Sequence, residues 1–337
     1  MTNAFTDWLT QLPRQTLGHW PTPLVLLPRL SAELGGPRIW LKRDDCSGLA
    51  TGGNKTRKLE YLLGAALAQG TDTIVTYGAV QSNHARQTAA ACASVGLQCH
   101  LILSQRVDWP YPAYNSQGNV FLDSLLGAHV HQCEVADTEM TRTKLLAQLE
   151  DQGARVYEIP AGGSAPLGAL GYANCVLELA QQTEQLGIQP KTVLHASASC
   201  GTQTGLVYAS ERLQCDWQVL GINVYHPDPA TLVARITSLL EKIGETYPDQ
   251  ALAKIPDIHV NHAYMGSAYG QPTEAGLKAI RWVAGLEGVL FDPVYSGKAL
   301  AALIDQIDLG NFSHTDDVIL IHTGGVASLA AYVDAFK

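Results

Sequence analysis

Short apolar runs alternate with stretches of helical spacing along most of this chain, and that alternation restricts the fold more than any other feature. Residues 73–77 (Thr-Ile-Val-Thr-Tyr) suit a buried strand, and a helix is predicted to follow, through Ala89 to Ser94. Further strands are expected over 39–45, 100–103, 129–133 and 155–159, with helices near 119–126 and 142–152. A glycine-rich link, Ala161-Gly162-Gly163-Ser164, leads into a long predicted helix over 167–186. The pattern then resumes, with strands over 192–196, 217–224, 289–291 and 318–321. Residues 200–205 read as a turn, and helices are expected over 206–213, 231–247 and 273–285, with Thr273 and Glu274 as start signals for the last. The strand at 318–321 is also expected to lead through a polar turn into a helix. Strand and helix joined by short loops give βαβ units, hence an α/β fold with a mostly parallel sheet.

Composition excludes several classes of function. With 337 residues there is material for two domains, and 46% hydrophobic against 16% charged residues marks a compact chain, not a disordered one. A formal net charge of −9, with no dense basic cluster, argues against nucleic acid as a partner. The seven cysteines (Cys46, Cys92, Cys99, Cys133, Cys175, Cys200 and Cys215) are scattered and form no C-x-x-C pair, which fits free thiols in a reducing compartment. No H-E-x-x-H occurs, so no metal is expected; His129 and His131, two apart on a strand, are read as lining one face of it. Residues 1–12 lack the basic and long apolar regions of a signal peptide, and no apolar run nears the ~18 residues of a membrane span. The expectation is a cytoplasmic protein without a membrane partner.

Ligands of open α/β sheets bind at the carboxyl ends of strands. Five polar turns follow expected strands: Gly53-Asn54-Lys55, Gln81-Ser82-Asn83, Ser199-Cys200-Gly201-Thr202, Tyr295-Ser296-Gly297 and His322-Thr323-Gly324-Gly325. Each alone is what helix capping uses. Together they suggest one converged pocket. Lys55 begins a helix beside Arg57 and Lys58, where the helix dipole and the neighbouring cations disfavour the ammonium, and a neutral amine is what forms a Schiff base. Spacing alone leaves open an ordinary solvated lysine in a basic turn. It does not leave open a nucleotide P-loop, because Asn54 stands between Gly53 and Lys55 and makes the spacing one residue too long.

The segments Gly52-Gly53-Asn54-Lys55-x-Arg57-Lys58-Leu59-Glu60, Gln81-Ser82-Asn83-His84-x-Arg86-Gln87, Asp292-Pro293-Val294-Tyr295-x-Gly297-Lys298 and His322-Thr323-Gly324-Gly325 resemble the D-cysteine desulfhydrase / aminocyclopropane-carboxylate deaminase family. That family belongs to the tryptophan-synthase-β-like, fold type II enzymes that use pyridoxal 5′-phosphate. The likeness runs from about Thr22 to the C-terminal helix. It implies two domains, each with a mostly parallel, open twisted sheet flanked by helices: residues 1–58 with 166–337 forming the larger, and 59–165 inserted as the smaller. It also implies a homodimer.

By the same resemblance, Lys55 carries the cofactor as a Schiff base and Asn83 hydrogen-bonds its 3′-oxygen. Cys200, Gly201, Thr202 and Gln203 lie where the family grips the phosphate. Backbone N–H groups at a helix start favour an anion independently of any family. Cys200 departs from the usual Gly or Thr, but backbone contacts do not depend on its side chain. Ser82, with Gln81, Asn83 and His84, matches the substrate-binding segment, and Tyr269 and Tyr295 match tyrosines that face the substrate. Ser296 and Thr323 stand where ring-opening deaminases have Glu and Leu. A hydroxyl near the pyridine nitrogen makes a weaker electron sink than a carboxylate does, which suits β-elimination better than ring opening. The implied reaction converts D-cysteine to sulfide, pyruvate and ammonia, with Lys55 as base, Ser82 gripping the carboxylate and the two tyrosines at the leaving group. L-cysteate sulfo-lyase, which ejects sulfite, is the nearest alternative, followed by the deaminase and by a catalytically silent protein that binds the cofactor.

Overall fold

A computed structural model describes residues 4–337. The first half of the chain runs α1 (Ala4–Gln11), β1 (Leu24–Leu26), α2 (Pro28–Glu33), β2 (Arg38–Lys42), α3 (Lys55–Ala68), β3 (Thr73–Ala79), α4 (Asn83–Val95), β4 (Gln98–Ser104), α5 (Asn119–Leu125), β5 (His129–Cys133), α6 (Thr138–Asp151) and β6 (Val156–Ile159). The second half adds α7 (Pro166–Leu186), β7 (Pro190–Ser197), α8 (Gly201–Leu213), β8 (Gln218–Asn223), α9 (Pro229–Thr246), β9 (His259–Asn261), α10 (Glu274–Glu287), α11 (Ser296–Asp308) and β10 (Asp317–Ile321).

Two sheets take up the strands. One has four, in the order β5-β4-β3-β6, all parallel. The other has six, in the order β1-β2-β10-β7-β8-β9, parallel except for the short β1 against β2. Central strands are buried on both faces, which is why they read as continuous apolar runs: β10 is buried at all five positions. His100, His129 and His131 share one face of the smaller sheet, with the His100 ring stacked 4.6 Å from His129 and 5.4 Å from His131.

The helix that starts at Lys55 is held from two sides. Its Leu59, Leu62, Leu63 and Ala66 pack with Ile74 and Leu101 of the four-stranded sheet and with Ala85 of α4. Against its other side lies α7, whose Gly171 passes so close that a Cβ there would come within 2.2 Å of the Arg57 carbonyl oxygen. Only glycine permits that approach.

Three sequence expectations fail. Residues 289–291 form no strand: Val289 and Phe291 are buried while Leu290 is exposed, and β1, not this run, occupies the edge beside β2. Phe291 instead stacks on the His322 ring at 4.3 Å, and His322 Nε2 donates to the Leu290 carbonyl at 2.8 Å. Helix α8 begins at Gly201, five residues before the expected start, because the chain turns at Cys200 in the left-handed region (φ +71°). After β10, residues Val326–Phe336 form 3-10 turns with a kink at Tyr332, not an α-helix.

Candidate active site

A cavity of about 200 Å³ is lined by members of all five turns: Asn54 and Lys55, Ser82 and Asn83, Ser199, Cys200 and Thr202, Tyr295, and Thr323. The loop carrying Lys55 is laced in place by α4. Arg86, fully buried, donates to Thr51 Oγ1 at 2.7 Å, to the Gly52 carbonyl and to Asn119 Oδ1 at 2.9 Å. Gln87 Oε1 accepts from the Thr56 N–H at 3.1 Å. Gly53 has φ +130°, and a Cβ on it would meet the Gln87 carboxamide at 2.7 Å, so the loop needs glycine there on both counts.

Lys55 Nζ donates to Asn54 Oδ1 at 3.2 Å, and burial alone brings its pKa down to about 8. The cause differs from the sequence expectation. Arg57 is committed to Asp44 and Glu178, and desolvation, not a neighbouring cation, destabilises the ammonium. Covalent capture of a carbonyl cofactor by the apoprotein requires the free amine. Its rate is therefore expected to rise about tenfold per pH unit below about pH 8 and to level off above. Rapid-mixing absorbance across that range measures it; a flat profile would assign the control to another group.

The residues around α8 fit a phosphate. The first-turn N–H groups of this 13-residue helix have no helical acceptors and begin at the cavity wall. Ser164 Oγ accepts from the Gly201 N–H at 3.2 Å and donates to Ser199 Oγ at 2.9 Å, which sets the turn. Beneath it, buried Lys58 donates to the Gly162 carbonyl at 3.1 Å, and a Cβ on Gly201 would lie only 3.0 Å from Lys58 Nζ. The Cys200 thiol is turned to the carbonyls of Ala198 and Leu232, at 3.5 and 3.7 Å, and burial raises its pKa to about 11, so it adds no charge.

Two residues of the wall carry buried polar atoms without a partner in the protein, His84 Nδ1 and Ser197 Oγ; Gln203 Oε1 is unpaired too, but its carboxamide packs on Gly221 and bonds the His259 carbonyl. The tautomer of His84 follows from its neighbour. The Thr76 hydroxyl has one proton and gives it to the Ile159 carbonyl at 2.8 Å, so His84 Nε2–H donates to Thr76 and Nδ1 is a bare acceptor. Unpaired polar groups in so buried a wall call for a polar ligand. A lysine with a lowered pKa, a phosphate cradle and unpaired polar atoms together fit pyridoxal phosphate, which Lys55, Asn83 and the turn from Ser199 through Gln203 could hold.

Asn83 Oδ1 accepts from Asn119 Nδ2 at 2.9 Å, which aims its amide group. Ser82 caps α4, its Oγ accepting from the Ala85 N–H at 3.1 Å. On the opposite wall, the hydroxyls of Tyr269 and Tyr295 share a 2.5 Å hydrogen bond, and burial raises both pKa values. Tyr225 stands edge-on to Tyr269 with centroids 5.1 Å apart.

Three expected site residues do not reach the cavity wall. Gln81 turns away, donating to the carbonyls of Tyr114 and Gln117 and accepting from the Asn119 N–H, so it supports the neighbouring loop instead of touching substrate. Ser296 is buried against Asp292, to which its Oγ donates at 2.6 Å; Thr323 is the residue of that pair on the wall. Gly201 contributes through its backbone spacing only. Sequence reasoning missed Ser197, Tyr225, Arg106 and Arg235 on the wall, and Lys58 and Ser164 behind it. Tyr225 was recoverable, since it lies two residues past the end of β8.

Residues 15–324 match the family described as pyridoxal-phosphate dependent enzyme. Among curated relatives, the D-cysteine desulfhydrase of Salmonella paratyphi A is 42% identical over 325 residues, 96% of this chain and 97% of that protein. The D-cysteine desulfhydrase of Salmonella choleraesuis (strain SC-B67) is 43% identical over 326 residues, with the same coverage. A solved crystal structure of an ACC deaminase homologue superposes with a TM-score of 0.87 at 33% identity, covering all of this chain and 99% of the other.

Proposed function

The chain belongs to the pyridoxal-phosphate dependent enzymes, and we propose that it is a D-cysteine desulfhydrase, forming sulfide, pyruvate and ammonia. One observation carries the reading: a half-buried lysine with a lowered pKa and a hydroxyl pair face one cavity, beside a phosphate cradle. The curated relatives, 42–43% identical over nearly full length, support the substrate.

Bound pyridoxal phosphate supplies the electron sink for charge released at Cα. The side chains do the rest. Near neutral pH an amine with a pKa of about 8 can take up the Cα proton, and Lys55 is that amine. Free N–H groups at the start of α4, with Ser82, bind the substrate carboxylate and fix the Cα–H bond toward Lys55. As the Cβ–S bond breaks, its electron pair leaves with sulfur as hydrosulfide, received by hydroxyls of Tyr269 and Tyr295. Water then hydrolyses the released aminoacrylate to pyruvate and ammonia.

No Asp or Glu lines the cavity among the described residues, and Thr323 presents a neutral group. That favours elimination of a good leaving group over ring opening of a cyclopropane. We read the assembly as a homodimer in the cytoplasm; the seven free thiols support a reducing compartment, and sedimentation would test the dimer.

Turnover of D-cysteine, L-cysteine, L-cysteate and aminocyclopropane carboxylate, measured side by side, tests the reading. Sulfide with pyruvate from D-cysteine at the highest kcat/KM is expected. Sulfite from L-cysteate at a much higher kcat/KM would replace the substrate while keeping the cofactor and side-chain roles. No product from any of the four would make the chain a silent cofactor binder.

A further inference from the structure

Lys55, Arg106 and Arg235 line the cavity, with no acidic side chain among the described residues, in a chain of net charge −9. So concentrated a positive wall is built for anions. Two of the three cations are accounted for. Lys55 is the proposed base. Arg235, on α9, lies 5.3 Å over the Tyr225 ring and its charge acts on the Cys200 thiol, which puts it with the phosphate cradle.

Arg106 has no such use. It follows β4, and its Nε donates to Ser104 Oγ at 2.8 Å, while Ser104 donates to the Gly78 carbonyl at 3.3 Å. No carboxylate among the described residues pairs with it. Val107, the next residue, packs so tightly on Gly270 that a Cβ there would lie 2.4 Å from Val107 Cγ2. Gln271 Nε2 donates to the Asp108 carbonyl at 2.7 Å. These two contacts clamp Arg106 beside the turn that carries Tyr269, and its charge acts on that tyrosine. Arg106 is exposed at the cavity's edge, its guanidinium anchored through Nε, and among the described residues no acceptor takes its outer N–H groups.

We propose that Arg106 is a specificity-determining residue that binds negative charge on the β-substituent of the substrate. It recognises the hydrosulfide as charge builds on the departing sulfur, and the same contact fits a β-sulfonate. This inference rests on the desulfhydrase reading and names the residue that selects the leaving group. A planar, permanently charged fork suits such an anion, and interactions strongest where charge develops raise kcat more than they lower KM.

The test compares two inert probes as competitive inhibitors, 3-sulfopropanoate, which carries a second anion, and butanoate, which carries only the carboxylate. The holoenzyme is expected to prefer the dianion. Arg106→Gln is expected to lower that preference by about 10- to 100-fold, the range for a hydrogen bond to a charged group, and Arg106→Lys to keep part of it. With D-cysteine, the fall is expected in kcat with KM little changed. Equal weakening of both probes would place Arg106 on the α-carboxylate and overturn the proposal, as would an unchanged ratio. Should D-cysteine not be turned over at all, the desulfhydrase reading fails while binding of the probes, followed by the cofactor's absorbance, still decides the role of Arg106.

Discussion

Lys55→Ala is expected to lower turnover of D-cysteine by about 10⁴-fold or more, because in the proposed mechanism one amine both anchors the cofactor and moves the Cα proton. Proton transfer alone accounts for about 10²- to 10⁴-fold in other enzymes, and loss of the covalent anchor adds to it. The fold is not at stake. Lys55 Nζ makes one hydrogen bond, to Asn54 Oδ1, and the loop is held through Arg86, Gln87 and the Thr323 carbonyl instead. Burial disfavours the ammonium at this site, so removing it is expected to leave apoprotein stability unchanged or slightly raised. The decisive readings are the visible absorbance of the lysine-bound cofactor and the single-turnover rate. A variant that keeps both would show another residue to be the anchor.

The parts of the fold legible in the sequence are those whose side chains carry a period. Strands β3, β4, β7, β8 and β10 show as apolar runs because both faces are covered, and the capped start of α10 shows because Thr273 Oγ1 accepts from the Gly276 N–H. Residues 289–291 have the same composition and fail, since strand pairing depends on a neighbour that local sequence does not contain. The turns at the strand ends pointed to the cavity, but side-chain aim did not follow from position. Gln81 and Ser82 are adjacent, yet one supports a loop and the other faces the site. Ser296 likewise gives its hydroxyl to Asp292. Arg106 had no local signal at all. Its significance comes from the absence of an acidic partner in three dimensions.

Arg57→Ala is expected to cost about 3–5 kcal/mol of stability, the scale for leaving buried charge without its partner. Arg57, two residues after the proposed anchor, is 2% exposed and Asp44 is fully buried. The guanidinium reaches Asp44 Oδ1 at 2.7 Å and Oδ2 at 2.9 Å, Glu178 Oε1 at 2.9 Å and Oε2 at 2.8 Å, and lies 4.2 Å over the Trp20 ring. Lys42 and Tyr172 complete the cluster, so one side chain joins the turn after β2, the start of α3 and the middle of α7. An exposed pair gives the contrast: Arg155→Ala, which breaks the contact with Asp72, is expected to leave the urea midpoint almost unmoved.

The pH dependence separates this charge effect from lost packing. Burial pushes the Asp44 pKa up, but Arg57, by charge and hydrogen bonds, then Lys42 and Tyr172 outweigh it and hold the folded value below the ordinary 3.8. In the wild type that stabilisation is present above the unfolded pKa and is lost as pH falls through the folded one. Without Arg57, burial meets less opposition and the folded pKa of Asp44 rises. The variant's deficit is then largest near neutral pH and narrows as Asp44 takes up a proton. Urea midpoints of apoprotein at neutral pH and near pH 4 read both terms. A neutral-pH loss below about 1 kcal/mol, or a deficit that widens on acidification, would mean that Arg57 holds α3 by packing on Trp20 and not by charge.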